Sequence, residues 1–161
     1  MERENRGGGA DDPIQTADDA VAFALYRRRL ERVVAASCDP SQPWAARVAV
    51  AIRAALVLAT NDPVAARALT VHAAQRRMNG GFAFVAMVDG LAEKLARDAP
   101  PTAHADRMAR NLVRRIARQT FLHLELRPGD PVTEIAPDLI VFALTPYVGF
   151  SESRRWASGP S

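Results

Sequence analysis

Three features of this 161-residue chain predict an all-α fold, a single-domain bundle of about six helices. Alanine and arginine, both good helix formers, are heavily used, while aromatic residues make up only 6% of the chain. Apolar residues recur at spacings of three and four in one segment after another. Proline, glycine and Asn-Asp steps punctuate those segments. A mass of 17.5 kDa suits one domain, which at this size removes roughly 70% of the unfolded chain's surface from water. The balance of 48% apolar to 24% charged residues excludes a disordered chain.

Residues 1–14 read as a flexible leader with the run Gly7-Gly8-Gly9. Residues 15–149 form the helical domain, and residues 150–161 read as a tail. From about Thr16 the pattern turns helical, with Phe23, Tyr26, Leu30 and Val33 on one face. The helix stops before Cys38-Asp39-Pro40, because a residue ahead of proline avoids the α region. Ser41 is the expected cap of a second helix, with Pro43 in its first turn. From Trp44 to Thr60 that helix is apolar nearly all round, so it belongs in the middle of the bundle.

Asn61-Asp62-Pro63 closes it and opens a third helix, which runs to about Met78 and ends at Asn79-Gly80-Gly81. The fourth spans about Phe82 to Arg97, with Phe84, Val88, Leu91 and Leu95 as its buried stripe and a Glu93–Arg97 pair outside. Thr102 is the expected cap of a long fifth helix reaching about Leu126. Arg127-Pro128-Gly129-Asp130-Pro131 is a turn. The last helix covers roughly Val132 to Val148, with a kink or its true start at Pro137. Its centre, Leu139 to Leu144, is apolar on all sides, so both faces need cover, and a second copy of the chain could provide one.

Charge and chemistry narrow the function. Twenty of the 21 basic residues are arginine and Lys94 is the single lysine, yet the net charge is only +3. That is a weak field for a nucleic-acid binder, although the sequence pI is about 9.7. One basic stripe stands out, with Arg107, Arg110, Arg114 and Arg118 on one face of the fifth helix and Arg115 alongside. It suits phosphate contact, or a solvated face rimming a protein interface. A helix-turn-helix unit needs about 45 residues of short coupled helices, and no such unit is readable here. Cys38 is the only cysteine, which excludes an internal disulfide and a cysteine-based zinc site. The N-terminus lacks the apolar run of a signal peptide, and the stretch from Ala45 to Ala59 is too short and too interrupted by arginine to span a bilayer. A cytoplasmic protein is expected.

His72, His104 and His123 lie in separate segments without metal-ligand spacing, so no metal is expected. There is no G-x-S-x-G elbow and no carboxylate pair in an apolar setting, so neither an enzyme nor a cofactor is expected. His72 and His123 each interrupt an apolar helix, which fits either a satisfied core histidine or a cavity wall.

The run Trp44-Ala-Ala-Arg-Val-Ala-Val-Ala-Ile-Arg-Ala-Ala-Leu, followed by Asn61-Asp-Pro-Val-Ala-Ala-Arg-Ala-Leu-Thr-Val, resembles the middle of the effector domain of TetR/AcrR-type transcriptional regulators. The closing Ile135-Ala-Pro-Asp-Leu-Ile-Val-Phe-Ala-Leu-Thr-Pro-Tyr-Val-Gly149 resembles the last helix of that domain. The resemblance implies a homodimer in which the last two long helices of each subunit form a four-helix bundle. It also implies a pocket, enclosed by the preceding helices, for a small and largely apolar effector. The diagnostic DNA-binding helices of the family have no counterpart here, so DNA is an expected partner only if a helix-turn-helix precedes Met1 in the native protein.

The residues themselves suggest where these two features lie. For the dimer interface the candidates are Leu112, Ile116, Leu139 and Phe142. For the pocket, the second and fourth helices offer Trp44, Phe84, Met87 and Val88 as adaptable apolar lining, and Gln119 and His123 offer orienting polar contacts, with His72 and Gln75 beside them. The leading expectation is a ligand-sensing and dimerisation domain of a TetR-like regulator. The alternative is a stand-alone interaction module that forms mixed dimers with a full-length regulator.

Overall fold

Among the described residues, seven α-helices and one 3-10 turn make up a single bundle, with no strand. The computed structural model describes the backbone of residues 13–37, 39–74, 81–102 and 105–159, with side chains except at 13–20, 69–74, 81–83 and 105–106. The helices are α1 (Pro13–Ala36), α2 (Trp44–Asn61), α3 (Pro63–Ala74), α4 (Gly81–Ala96), α5 (Ala105–Leu126), α6 (Ala136–Val148) and α7 (Phe150–Ala157). The 3-10 turn, Val132–Ile135, leads into α6. Pro137 falls in the first turn of α6, where its missing N–H removes no helical bond.

The apolar α2 is the hub. It packs against α1, α3, the 3-10 turn, α6 and α7, while α4 lies along α5 and α6 along α7. Ala49, Leu56 and Ala59 of α2, together with Ile140, Ala143 and Leu144 of α6, are almost completely removed from water. Full burial of a leucine or isoleucine side chain stabilises by about 1.5–3 kcal/mol, so this contact carries much of the core. With 18 residues, α2 is also long and apolar enough, by length and composition alone, to cross a membrane. A central core helix meets the same criterion, and α2 carries Arg47 and Arg53, both bound to neighbouring helices.

The segment expected to be a tail, 150–161, holds a seventh helix instead. Gly149 sits at φ 81°, in the left-handed region that only glycine adopts cheaply, and so turns the chain back from α6 into α7. Ser153 is completely buried at that corner. Its hydroxyl shares a hydrogen bond of 3.0 Å with Thr145 Oγ1 and donates to the Phe150 carbonyl at 2.8 Å. Trp156 Nε1 donates to Glu152 Oε1 at 2.8 Å.

Two expected caps also differ. Ser41 does not cap α2, which has Pro43 at its N-cap without a side-chain bond. Its amide and hydroxyl donate to Asp39 Oδ1 at 2.9 and 2.7 Å, closing a local turn that holds the Asp39 carboxyl below its ordinary range. The Thr102 hydroxyl is buried and bonds to nothing among the described residues. Asp62 does cap α3, accepting from the Ala65 amide at 3.2 Å, and pairs with Arg29 of α1 at 3.2 Å. Burial, and secondarily the Asp62 charge, push the Tyr26 phenol far above its usual value.

Arg53 explains how so short a terminal helix is held. Its Nη2 donates to the Trp156 and Ala157 carbonyls at 2.6 and 3.0 Å, a cation on the C-terminal end of α7. Replacing it by alanine (Arg53→Ala) should cost about 1–2 kcal/mol. Amide exchange should quicken in α7 well before α2, and uniform quickening would show that the arginine acts on the whole core.

Candidate ligand cavity

Small side chains open the interior where α1, α2, α4 and α5 meet. Ala51 and Ala55 of α2, Ala66 of α3 and Ala117 of α5 line a cavity of about 150 Å³. Larger residues complete the wall, Ile52 from α2, Met87 and Leu91 from α4, and Val113 and Ile116 from α5. On α4 the contributing residues are Met87, Leu91, Lys94 and Leu95, spaced as one helical stripe. On α5 they are Val113, Ile116, Ala117 and Thr120, again one stripe.

Polar groups gather at one end, where the start of α2 meets the end of α4. Arg47, Lys94 and Arg97 all belong to the wall there. Arg47 is largely covered, with its side chain 13% exposed, and both Nη atoms donate to Asp98 Oδ2 at 3.2 Å. Its Nε is buried without a hydrogen-bond partner among the described residues. Asp98 follows α4 with φ at 60°, the left-handed position that more often falls to glycine at a helix end. That conformation costs an L-residue about 1–2 kcal/mol, and here it places a carboxylate on Arg47. Beside it Trp44 Nε1 donates to the Leu95 carbonyl at 2.9 Å, and its ring lies 4.8 Å from that of Tyr147. The Trp44–Leu95 and Arg47–Asp98 bonds tie the end of α4 to the start of α2.

Of the expected pocket residues, the structure brings Trp44 and Met87 into the wall. Phe84 and Val88 are buried, but on the neighbouring stripe of α4 and away from the cavity. Gln119 is exposed. His123 is buried one turn beyond the cavity's end, with Nε2 unbonded among the described residues. Gln75 and the side chain of His72 lie outside the described residues. Among the expected interface residues, Leu112 and Leu139 are buried within the single chain, so neither offers a surface to a second copy. Ile116 lines the cavity, and Phe142 is half-buried with the Arg115 guanidinium 4.1 Å from its ring centre.

The arginine stripe of α5 is exposed along Arg107, Arg110, Arg114, Arg115 and Arg118. Arg110 pairs with Asp89 at 3.1 Å, whereas the expected Glu93–Arg97 pair is not formed. Among the described residues no group of three or more His, Cys, Asp or Glu side chains could hold a metal ion.

No protein-family model matches this sequence, and neither the curated proteins nor the solved structures include a significant match. The cavity therefore has to be interpreted from its own residues.

Sequence reasoning overlooked Arg47, Lys94 and the Leu91–Leu95 part of the wall. The signal that could have found them was present: a lone lysine beside an apolar stripe, in a chain that otherwise uses arginine. The indole lock is directly testable. Trp44→Phe keeps an aromatic ring but removes the donor to the Leu95 carbonyl, and should cost about 1 kcal/mol in urea unfolding. No loss of stability would mean that the Asp98–Arg47 pair alone holds this corner.

Proposed function

We propose that this chain is the ligand-sensing and dimerisation domain of a TetR-like regulator, a cytoplasmic homodimer that binds a small and largely apolar effector. The observation that supports this most is the cavity. An apolar hollow of about 150 Å³, lined by five helices and carrying a few polar groups at one end, has the kind of lining a small-molecule site uses, on a small scale. A cavity of that size between apolar side chains accommodates a benzene-sized body.

The wall also supplies a means of transmission. Ile116 and Ala117 belong to α5, whose neighbouring residue Arg115 rests on Phe142 of α6. A ligand that pushes α5 outward therefore acts on the α6 face where a second subunit would dock. Effector binding would shift the population between two dimer geometries, by no more than its difference in affinity for them.

A panel of small aromatic and aliphatic compounds in a thermal-shift experiment tests the sensor. A ligand at 100 times its dissociation constant should add about 2.7 kcal/mol, which raises Tm by about 5–10 °C for a chain of this size. If no benzene-sized compound moves Tm, the sensor reading fails. The dimer has its own test in sedimentation. The wild type should run at twice the chain mass, and Phe142→Arg, which sets a second cation beside Arg115 at the interface, should run as a folded monomer. A variant that remains dimeric would place the interface elsewhere.

A further inference from the structure

The polar end of the cavity specifies what kind of ligand fits, provided that the ligand-sensing reading holds. We propose that the cavity takes a small aromatic or short aliphatic carboxylate, with its apolar body between Ile52, Met87 and Ile116 and its anionic group on Lys94 and Arg97. Three observations carry this.

The first is the charge of the wall. Among the described residues, each ionisable side chain that lines the cavity, namely Arg47, Lys94 and Arg97, is a cation. The second is how Asp98 and Glu31 are engaged, while Glu93, next to Lys94, lies exposed on α4. Asp98 is held by both Nη atoms of Arg47, and Glu31 by Arg27 at 3.8 Å. The Leu95 carbonyl is taken by Trp44. Lys94 and Arg97 make no ion pair among the described residues. The third is the surroundings. A second depression, lined by Arg28, Arg29, Glu31 and Arg32 of α1, shares Lys94 with the cavity, and cations outnumber anions in its wall. A cleft lined with one sign of charge and walled by apolar groups concentrates the opposite charge.

Size sets the rest. About 150 Å³ admits one aromatic ring or a chain of similar bulk within its walls. The basic pair stands at the solvent end, since Arg97 is exposed and Lys94 half-buried. A ligand therefore enters apolar end first and leaves its carboxylate partly hydrated, which avoids the large cost of burying an ion.

The experiment compares benzoate, phenylacetate and hexanoate with benzyl alcohol, by calorimetry on the full chain at neutral pH and low salt. The carboxylates should bind at least tenfold more tightly than the alcohol, and the margin should shrink as salt screens the charges. Lys94→Met should erase most of that margin. Because Lys94 is the chain's only lysine, amine acylation read by peptide mass spectrometry reports on it directly, and benzoate should protect it where benzyl alcohol does not. If acid and alcohol bind equally, or if Lys94→Met keeps the full preference, the carboxylate inference is overturned and the apolar sensor stands. If none of these compounds binds, the sensor reading itself fails, and the inference with it.

Discussion

The fold depends on the ends of its helices being tied to one another by side chains from far along the chain. Helix C-termini leave carbonyl groups without intrahelical partners, and most proteins satisfy them locally. Here long-range donors do so. Trp44 reaches the Leu95 carbonyl at the end of α4, and Arg53 reaches the last carbonyls of α7. Arg67 of α3 donates to the Leu124 carbonyl at the end of α5 at 2.7 Å and pairs with Glu125 at 3.0 Å. Two of these donors, and Arg47 besides, lie on α2. The hub helix thus contributes its apolar surface to the core and its few polar groups to its neighbours' ends.

That arrangement gives the composition a physical meaning. A guanidinium presents several donors in a fixed plane and stays charged when half-buried, whereas a lysine ammonium is compact and more strongly hydrated. Tying one helix end to another through a partly buried cation therefore favours arginine, and 20 of the 21 basic residues are arginine. The exception, Lys94, stands in a cavity wall, where its freely rotating head is bound to no acid among the described residues. Part of the arginine excess is structural, and the rest lies exposed along α5.

Much of the bundle was legible because its boundaries are written in local chemistry. Asn61-Asp62-Pro63 ends one helix and caps the next through a short-range bond, and Pro128-Gly129 breaks α5 from the last pair. The seventh helix was not legible. Its eight residues carry apolar groups only at Phe150, Trp156 and Ala157, so no periodicity announces it. Ser153 is buried there because the turn at Gly149 brings it against Thr145, a tertiary consequence without a local signal. The cavity was half legible for the same reason. A stripe at helical spacing shows that Met87 and Phe84 face inward, but which inward residue meets a gap depends on the alanines opposite. Gln119 was misplaced by a fraction of a turn, and on a helix that suffices to move a side chain from a wall to solvent.

Those alanines are the strongest argument that the hollow matters. Ala51, Ala55, Ala66 and Ala117 come from three different helices and converge on one space. The hollow opens to solvent at its basic end, so it is not a sealed void, yet the wall atoms that face it forgo packing partners on that side. One larger side chain at any of the four positions would fill part of it. A chain that has packed Leu56, Val88, Ile140 and Leu144 almost out of contact with water is able to fill space where filling is all that is needed. Leaving this space open beside a cluster of cations makes sense when something else occupies it. On the proposed ligand-sensing role, an occupant would restore the missing packing and by mass action would stabilise whichever arrangement of α5 and α6 held it best.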